Sequence, residues 1–182
     1  MQGSITVYER FKQRLAALHT FLLRLLVVTL WVPVVRWRTT RFPRRSVLYA
    51  GQAYYNAWYL SRALRARGWN ADVLNWDPNP ASQMYYHGED FRFDDHDRKP
   101  VVLAERIGFY LRALWTYDVF HFSNAHGISF GWRLQEWFGL RFSPAAEIRL
   151  LKNAGKKIVY SNNGCLDGVS QASFKKWGPT PV

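Results

Sequence analysis

Ser46-Val47-Leu48-Tyr49-Ala50-Gly51 is a short apolar run closed by glycine, and the residues that follow it decide how the chain folds. It opens into AYYNAWYLSRALRARG, residues 53–68, which reads as a helix stopped by Gly68. A second apolar run, ADVLNW, follows at residues 71–76. Strand, loop, helix and strand in this order imply that the two runs pair in parallel, because parallel neighbours need a crossover of this length. In an open parallel sheet ligands sit at the carboxyl ends of the strands, so the loop after Gly51 falls where a substrate would bind.

Further along, the chain keeps the same alternation. Residues 77–100 are rich in turn formers and acids and read as a long excursion. VVLAERIGFYLRALWTY, residues 101–117, is an amphipathic helix with Leu103, Ile107, Tyr110, Leu111 and Leu114 on one face. Asp118 to Phe122 reads as a buried strand, GISFGWRLQEWFG as a helix, and Lys157 to Tyr160 as a further strand. Between the last two lies SPAAEIRLLKNAGKK, with Ser143 as helix N-cap, Pro144 at the first helical position and Gly155 past the end. This order predicts a Rossmann-like α/β fold: a parallel sheet of at least four strands near 47–50, 72–76, 118–122 and 157–160, with helices on both faces.

The composition sets the outer limits. A chain of 182 residues with 48% hydrophobic content and nine tryptophans builds one good core and is not disordered. Its lone cysteine, Cys165, excludes a disulfide framework and fits a reducing compartment. The net charge of +12 is unevenly spread: residues 1–45 carry nine Lys/Arg against Glu9 alone. The same segment holds the apolar stretch from Leu15 to Val35, preceding the α/β domain at 46–177 and the short remainder 178–182, read as a truncated linker.

That apolar stretch reaches the roughly 20 residues needed to span a bilayer. Arg24 near its centre would cost a span about 2.5–3.5 kcal/mol, and Pro33 is expected to interrupt its end. Three readings stay open: a basic amphipathic helix lying on an anionic membrane surface, a helix packed on the protein's own core, and a true span. Nucleic acid is not an expected partner, since phosphate binding leaves the apolar stretch without a purpose.

Polar loops that can hold a ligand follow every predicted strand except ADVLNW. The first offers Gly51, Gln52, Tyr54 and Asn56 at a helix N-terminus, where free N–H groups favour an anion or sugar oxygens. The second offers Asn124, His126 and Gly127; His126 is the candidate base, since an imidazole titrates near neutrality. His121, within the strand, reads as a packed and hydrogen-bonded histidine. The third offers Asn162, Asn163 and Asp167, whose side chains donate to and accept from vicinal hydroxyls. No cluster of Cys, His and carboxylates stands at metal-ligand spacing, and no glycine-rich phosphate loop is present.

With these segments in place, the chain resembles the N-terminal half of a GT-B glycosyltransferase of the group 1 (GT4-like) type. The resemblance rests on VLYAGQAYYNAWYLSRALRARGWNADVLNW, on YDVFHFSNAHG and on RLLKNAGKKIVYSNNG, and covers Val47 to Asp167. It implies that this domain binds a sugar or lipid-linked acceptor, for instance in making cell-envelope polysaccharide. The nucleotide-sugar donor would sit on a second Rossmann-like domain, C-terminal or on a partner chain, so no cofactor is expected in this chain itself. Asn163 falls near where many such enzymes place a histidine. The setting implied is cytoplasmic, peripheral to the inner face of the membrane. The alternative is a non-catalytic α/β module that docks to a membrane or partner through its basic N-terminal helix.

Overall fold

The computed structural model describes residues 7–51, 55–75, 87–93, 99–122 and 146–161. Helix α1 (Val7–Leu26) continues through a π-helical turn (Val27–Trp31) into α2 (Val32–Arg41). Then come β1 (Ser46–Gly51), α3 (Tyr55–Arg65), β2 (Asn70–Asn75), β3 (Phe91–Arg92), α4 (Lys99–Thr116), β4 (Val119–Phe122), α5 (Ala146–Asn153) and β5 (Lys157–Tyr160). The strands form one five-stranded sheet in the order β3-β2-β1-β4-β5, and every pairing is parallel. This is a Rossmann-like α/β fold.

Side-chain alternation sorts the core into two layers. Leu48, Ala50, Leu74, Phe120 and Phe122 point to one face and meet Ile107, Tyr110 and Leu114 of α4 and Leu150 and Leu151 of α5. Val47, Tyr49, Ala71 and Val73 point to the other and meet Ala57 and Leu64 of α3. β1 is buried at all six positions, as expected of a central parallel strand covered on both sides. The helix over 101–117 packs by the face its periodicity predicts, with Leu103 and Leu111 flanking the buried Ile107, Tyr110 and Leu114.

Two sequence expectations need adjustment. The excursion over 77–100 contains a strand, β3, whose two residues pair with Leu74 and Asn75; a pair so short carries no periodicity to read. Pro33 does not end the N-terminal helix, which runs unbroken from Tyr8 to Arg41. The Val32 N–H already bonds the Val27 carbonyl five residues back, so proline follows a turn whose usual bonding has been displaced. The last part of the N-terminal segment packs on the domain, with Val27, Val32 and Val35 in the core beneath α4 and α5. The helix expected over 127–139 and the Ser143 cap lie outside the described residues.

The π turn has a packing consequence. Leu23, Val27, Trp31 and Val35, spaced by four, all reach the core. Steps of four overshoot a 3.6-residue turn by about 40° each, and one wider turn absorbs part of that drift.

Below the sheet, a buried ionic cluster joins α2 to three strands. Arg38 Nη2 lies 2.7 Å from Asp118 Oδ1, with both side chains under a tenth exposed. Lys156 Nζ is 3.5 Å from the same oxygen and donates to Thr39 Oγ1 at 2.8 Å. The backbone N–H of Arg44 donates to Asp118 Oδ2, and that of Asp118 donates to Ser46 Oγ at 3.0 Å. Two cations against one carboxylate leave an excess positive charge in a buried place. Burial first, and then the neighbouring Arg38, push the Lys156 ammonium down to about 8 against the pull of Asp118.

Two measurements check this cluster. Asp118→Ala should cost about 3–5 kcal/mol in chemical denaturation, because two buried cations lose their counter-charge; a loss under about 1 kcal/mol is what an exposed pair would give. Lys156, with its folded pKa at about 8 and its unfolded value at 10.5, releases its proton earlier when folded. Between these values the unfolded chain binds the extra proton, so stability should rise with pH from 8 toward 10. Lys156→Met should flatten that rise.

Candidate functional site

β1 and β2 lie on one side of a switch in strand order, and β4 and β5 on the other, so the crevice of this sheet opens between β1 and β4 at their carboxyl ends. In register, Gly51 stands opposite Asn75, Ala50 opposite Phe122, and Phe122 opposite Tyr160. The three segments that sequence reading selects therefore leave the sheet at one edge. Of their residues, Gly51 is buried at the end of β1, and Asn56 lies in the first turn of α3, its Oδ1 accepting the Ala57 N–H at 2.7 Å. Gln52, Tyr54, Asn124, His126, Gly127, Asn162, Asn163 and Asp167 lie outside the described residues.

Two polar pairs stand at this edge that sequence reading did not select. His121 Nε2 lies 2.9 Å from Ser161 Oγ, just past the end of β5, and the imidazole packs 4.9 Å from the Tyr49 ring, its neighbour in register. Burial holds the His121 pKa below 6.5 and the Tyr49 phenol above 10.0. The imidazole is thus neutral at physiological pH and able to accept a proton or share one with a hydroxyl. The second pair is Asn75, wholly buried as the last residue of β2, whose Nδ2 donates to Glu89 Oε2 at 2.7 Å. β2 itself thus ends on a polar side chain, while the loop after it, residues 76–86, lies outside the described residues. Asn75, Tyr49 and His121 fall on the α3 face of the sheet, since each alternates with residues of the opposite layer.

Residues 87–93 clamp this edge onto α3. Asp90 accepts the Val73 N–H at 2.9 Å and meets Arg62 at 2.9 Å and Arg65 at 2.8 Å. Burial alone would raise the Asp90 carboxyl, but the Val73 N–H and the two arginines outweigh it and hold it below the usual carboxylate value. Arg65 also bonds Asp72, whose other oxygen takes the Tyr117 hydroxyl at 2.6 Å. Arg62 stacks 3.6 Å over the Trp58 ring. Gly88 lies against that ring with φ at 148°, and an added Cβ would come within 2.8 Å of it. The His87 ring sits 5.3 Å from Tyr59 and 6.0 Å from Tyr55.

Among the described residues no group of three or more His, Cys, Asp or Glu side chains is placed to hold a metal ion. What the edge offers is hydrogen bonding: a neutral imidazole, a hydroxyl, an amide and a carboxylate beside a buried glycine turn. Such a set suits hydroxyl-bearing ligands. Comparison with protein-family models, with characterised proteins and with solved structures finds no match to this chain.

Two outcomes follow from this geometry. NMR titration should place the His121 pKa below 6.5; since the unfolded chain then binds the proton more readily, His121 withdraws stability as pH falls from 6.5. A value at or above 6.5 would contradict its burial. Gly88→Ala should destabilise by about 1–3 kcal/mol in thermal or chemical denaturation, through backbone strain and collision with Trp58. A neutral effect would mean that the 87–93 segment does not pack on α3.

Proposed function

We propose that this chain is the acceptor-binding half of a GT-B glycosyltransferase that works at a membrane surface, with its nucleotide sugar bound by a C-terminal donor domain or partner chain. The observation that carries this reading is the switch between β1 and β4, with Gly51, Asn75–Glu89 and His121–Ser161 gathered at the strand ends beside it. These groups would orient a sugar or lipid-linked acceptor through its hydroxyls. His126, five residues beyond His121 in the chain, is assigned as the group nearest the reacting hydroxyl. Its imidazole would take the acceptor hydroxyl's proton as the new sugar–oxygen bond forms and the donor's sugar–phosphate bond breaks, the nucleotide leaving with the phosphate oxygen.

The membrane part of the reading rests on the helix Tyr8–Arg41, the one described helix long and apolar enough to cross a membrane, with only 11% of its most apolar window buried. Together with the basic excess of residues 1–45 it supports a cytoplasmic chain held to the inner face by anionic lipid. The exposed helix equally favours a second reading, a docking module without catalysis.

Binding and turnover separate the two. Saturation-transfer NMR with a panel of membrane glycolipid headgroups should detect acceptor binding that is lost in Asn75→Ala/His121→Ala. The chain alone should transfer no sugar, because approach of the two reactants needs the donor domain. Turnover should appear on adding that domain and fall steeply in His126→Ala at unchanged stability. Vesicle binding without any acceptor binding would favour the docking module, and turnover by the isolated chain would contradict the split assignment.

A further inference from the structure

α1 carries two unlike sides. Tyr8, Phe11, Leu15, Leu18, Leu22 and Leu25 recur at alternating steps of three and four and therefore line one side of the helix, and each is between 47% and 63% exposed. On the other side Leu23 is packed against the core, continuing into Val27 and Trp31, and Arg24 is half-buried beside them. Trp31 also stacks 5.7 Å from Trp115 of α4. The arginine that would make a span costly thus lies on the side turned to the domain, away from the apolar stripe.

Steps of three and four also describe a coiled-coil seam, so a second copy of the chain is the competing occupant. Charge argues against it. Lys12 and Arg14 flank the seam, and a parallel partner helix would set cation against cation there. Farther along, Phe21, Leu26 and Val28, about half exposed, widen the apolar side beyond what one partner helix covers. An anionic bilayer meets both features: a broad apolar boundary for the stripe and phosphates for Arg10, Lys12 and Arg14. Between residues 10 and 71 the chain contains no acidic residue to oppose such contact.

We infer that α1 lies in the plane of an anionic bilayer, its Tyr8-to-Leu25 stripe sunk to the acyl boundary and its opposite side carrying the α/β domain. This rests on the membrane reading above and goes beyond it by excluding a span. The helix, about 30 Å long, becomes a float: one side belongs to lipid, the other leads into the core.

Spin labels on the full chain test this. In a Cys165→Ser background, single cysteines replace Leu15, Leu18 or Leu22 on the stripe and Ala17 or Thr20 opposite, and collision with oxygen and with a water-soluble nickel chelate is measured. On adding vesicles of mixed zwitterionic and anionic phospholipid, the stripe labels should lose most of their nickel accessibility and gain oxygen collisions. Labels at 17 and 20 should stay accessible to nickel. Equal burial of Ala17 and Leu18 would mean a span, overturning the in-plane arrangement while leaving membrane attachment intact. No change at any label would overturn both. Stripe labels already shielded without vesicles, and coupled to one another, would assign the stripe to a second copy.

Discussion

Asp118 stands at the foot of β4 with its carboxylate out of water, and a buried carboxylate is tolerated only when charge and hydrogen bonds surround it. Its partners come from every part of the chain that must converge below the sheet: Arg38 of α2, the Arg44 backbone before β1, Ser46 of β1 and Lys156 before β5. None of these contacts forms unless the N-terminal helix, two central strands and the last strand are all in place. The cluster thus specifies one arrangement, whatever its net contribution to stability. It also explains why so basic a segment as residues 32–45 folds onto the domain: one of its arginines has a fixed counter-charge inside.

The two edges of the sheet divide the labour. At the amino ends of the strands, charge is paired, buried and spent on holding α2. At the carboxyl ends the polar groups are hydrogen-bonded in pairs, the half-buried His121 with Ser161 and the wholly buried Asn75 with Glu89. The ion pairs of Asp90 with Arg62 and Arg65 fasten the last turn of α3 to the middle of β2. The α2 attachment passes beneath the opposite layer, where Val27, Val32 and Val35 meet the α4 and α5 core. The exposed apolar side of the N-terminal helix and the polar groups at the strand ends are thereby built from different parts of the sequence on one frame.

Much of this frame is legible in the sequence. The runs SVLYAG and ADVLN announce their strands because a covered parallel strand leaves no polar alternation, VFHF and the edge run KIVY stand out as short apolar runs between capped helices, and the helix over 101–117 declares its buried face by period. What escaped reading depends on contacts between distant residues. Nothing local distinguishes Arg38 from Arg36 or Arg41; only Asp118, eighty positions away, singles it out. Asn75 reads as one more strand residue until its register with Gly51 and its bond to Glu89 make it part of the candidate site. Pro33 reads as a helix stop because a π turn, which displaces the bond proline would have broken, has no sequence signature. The two-residue β3 is too short for any pattern.

The central claim is that the N-terminal helix from Val32 onward and the sheet are one cooperative unit locked through Asp118. Native-state hydrogen exchange tests it directly, because each amide reports the free energy of the opening that exposes it. Amides of residues 35–41 should exchange only through the same global opening as those of β1 and β4, and Asp118→Asn should lower all three together. If residues 35–41 exchange through a far cheaper local opening while the sheet stays protected, the helix is an appendage and the account is wrong.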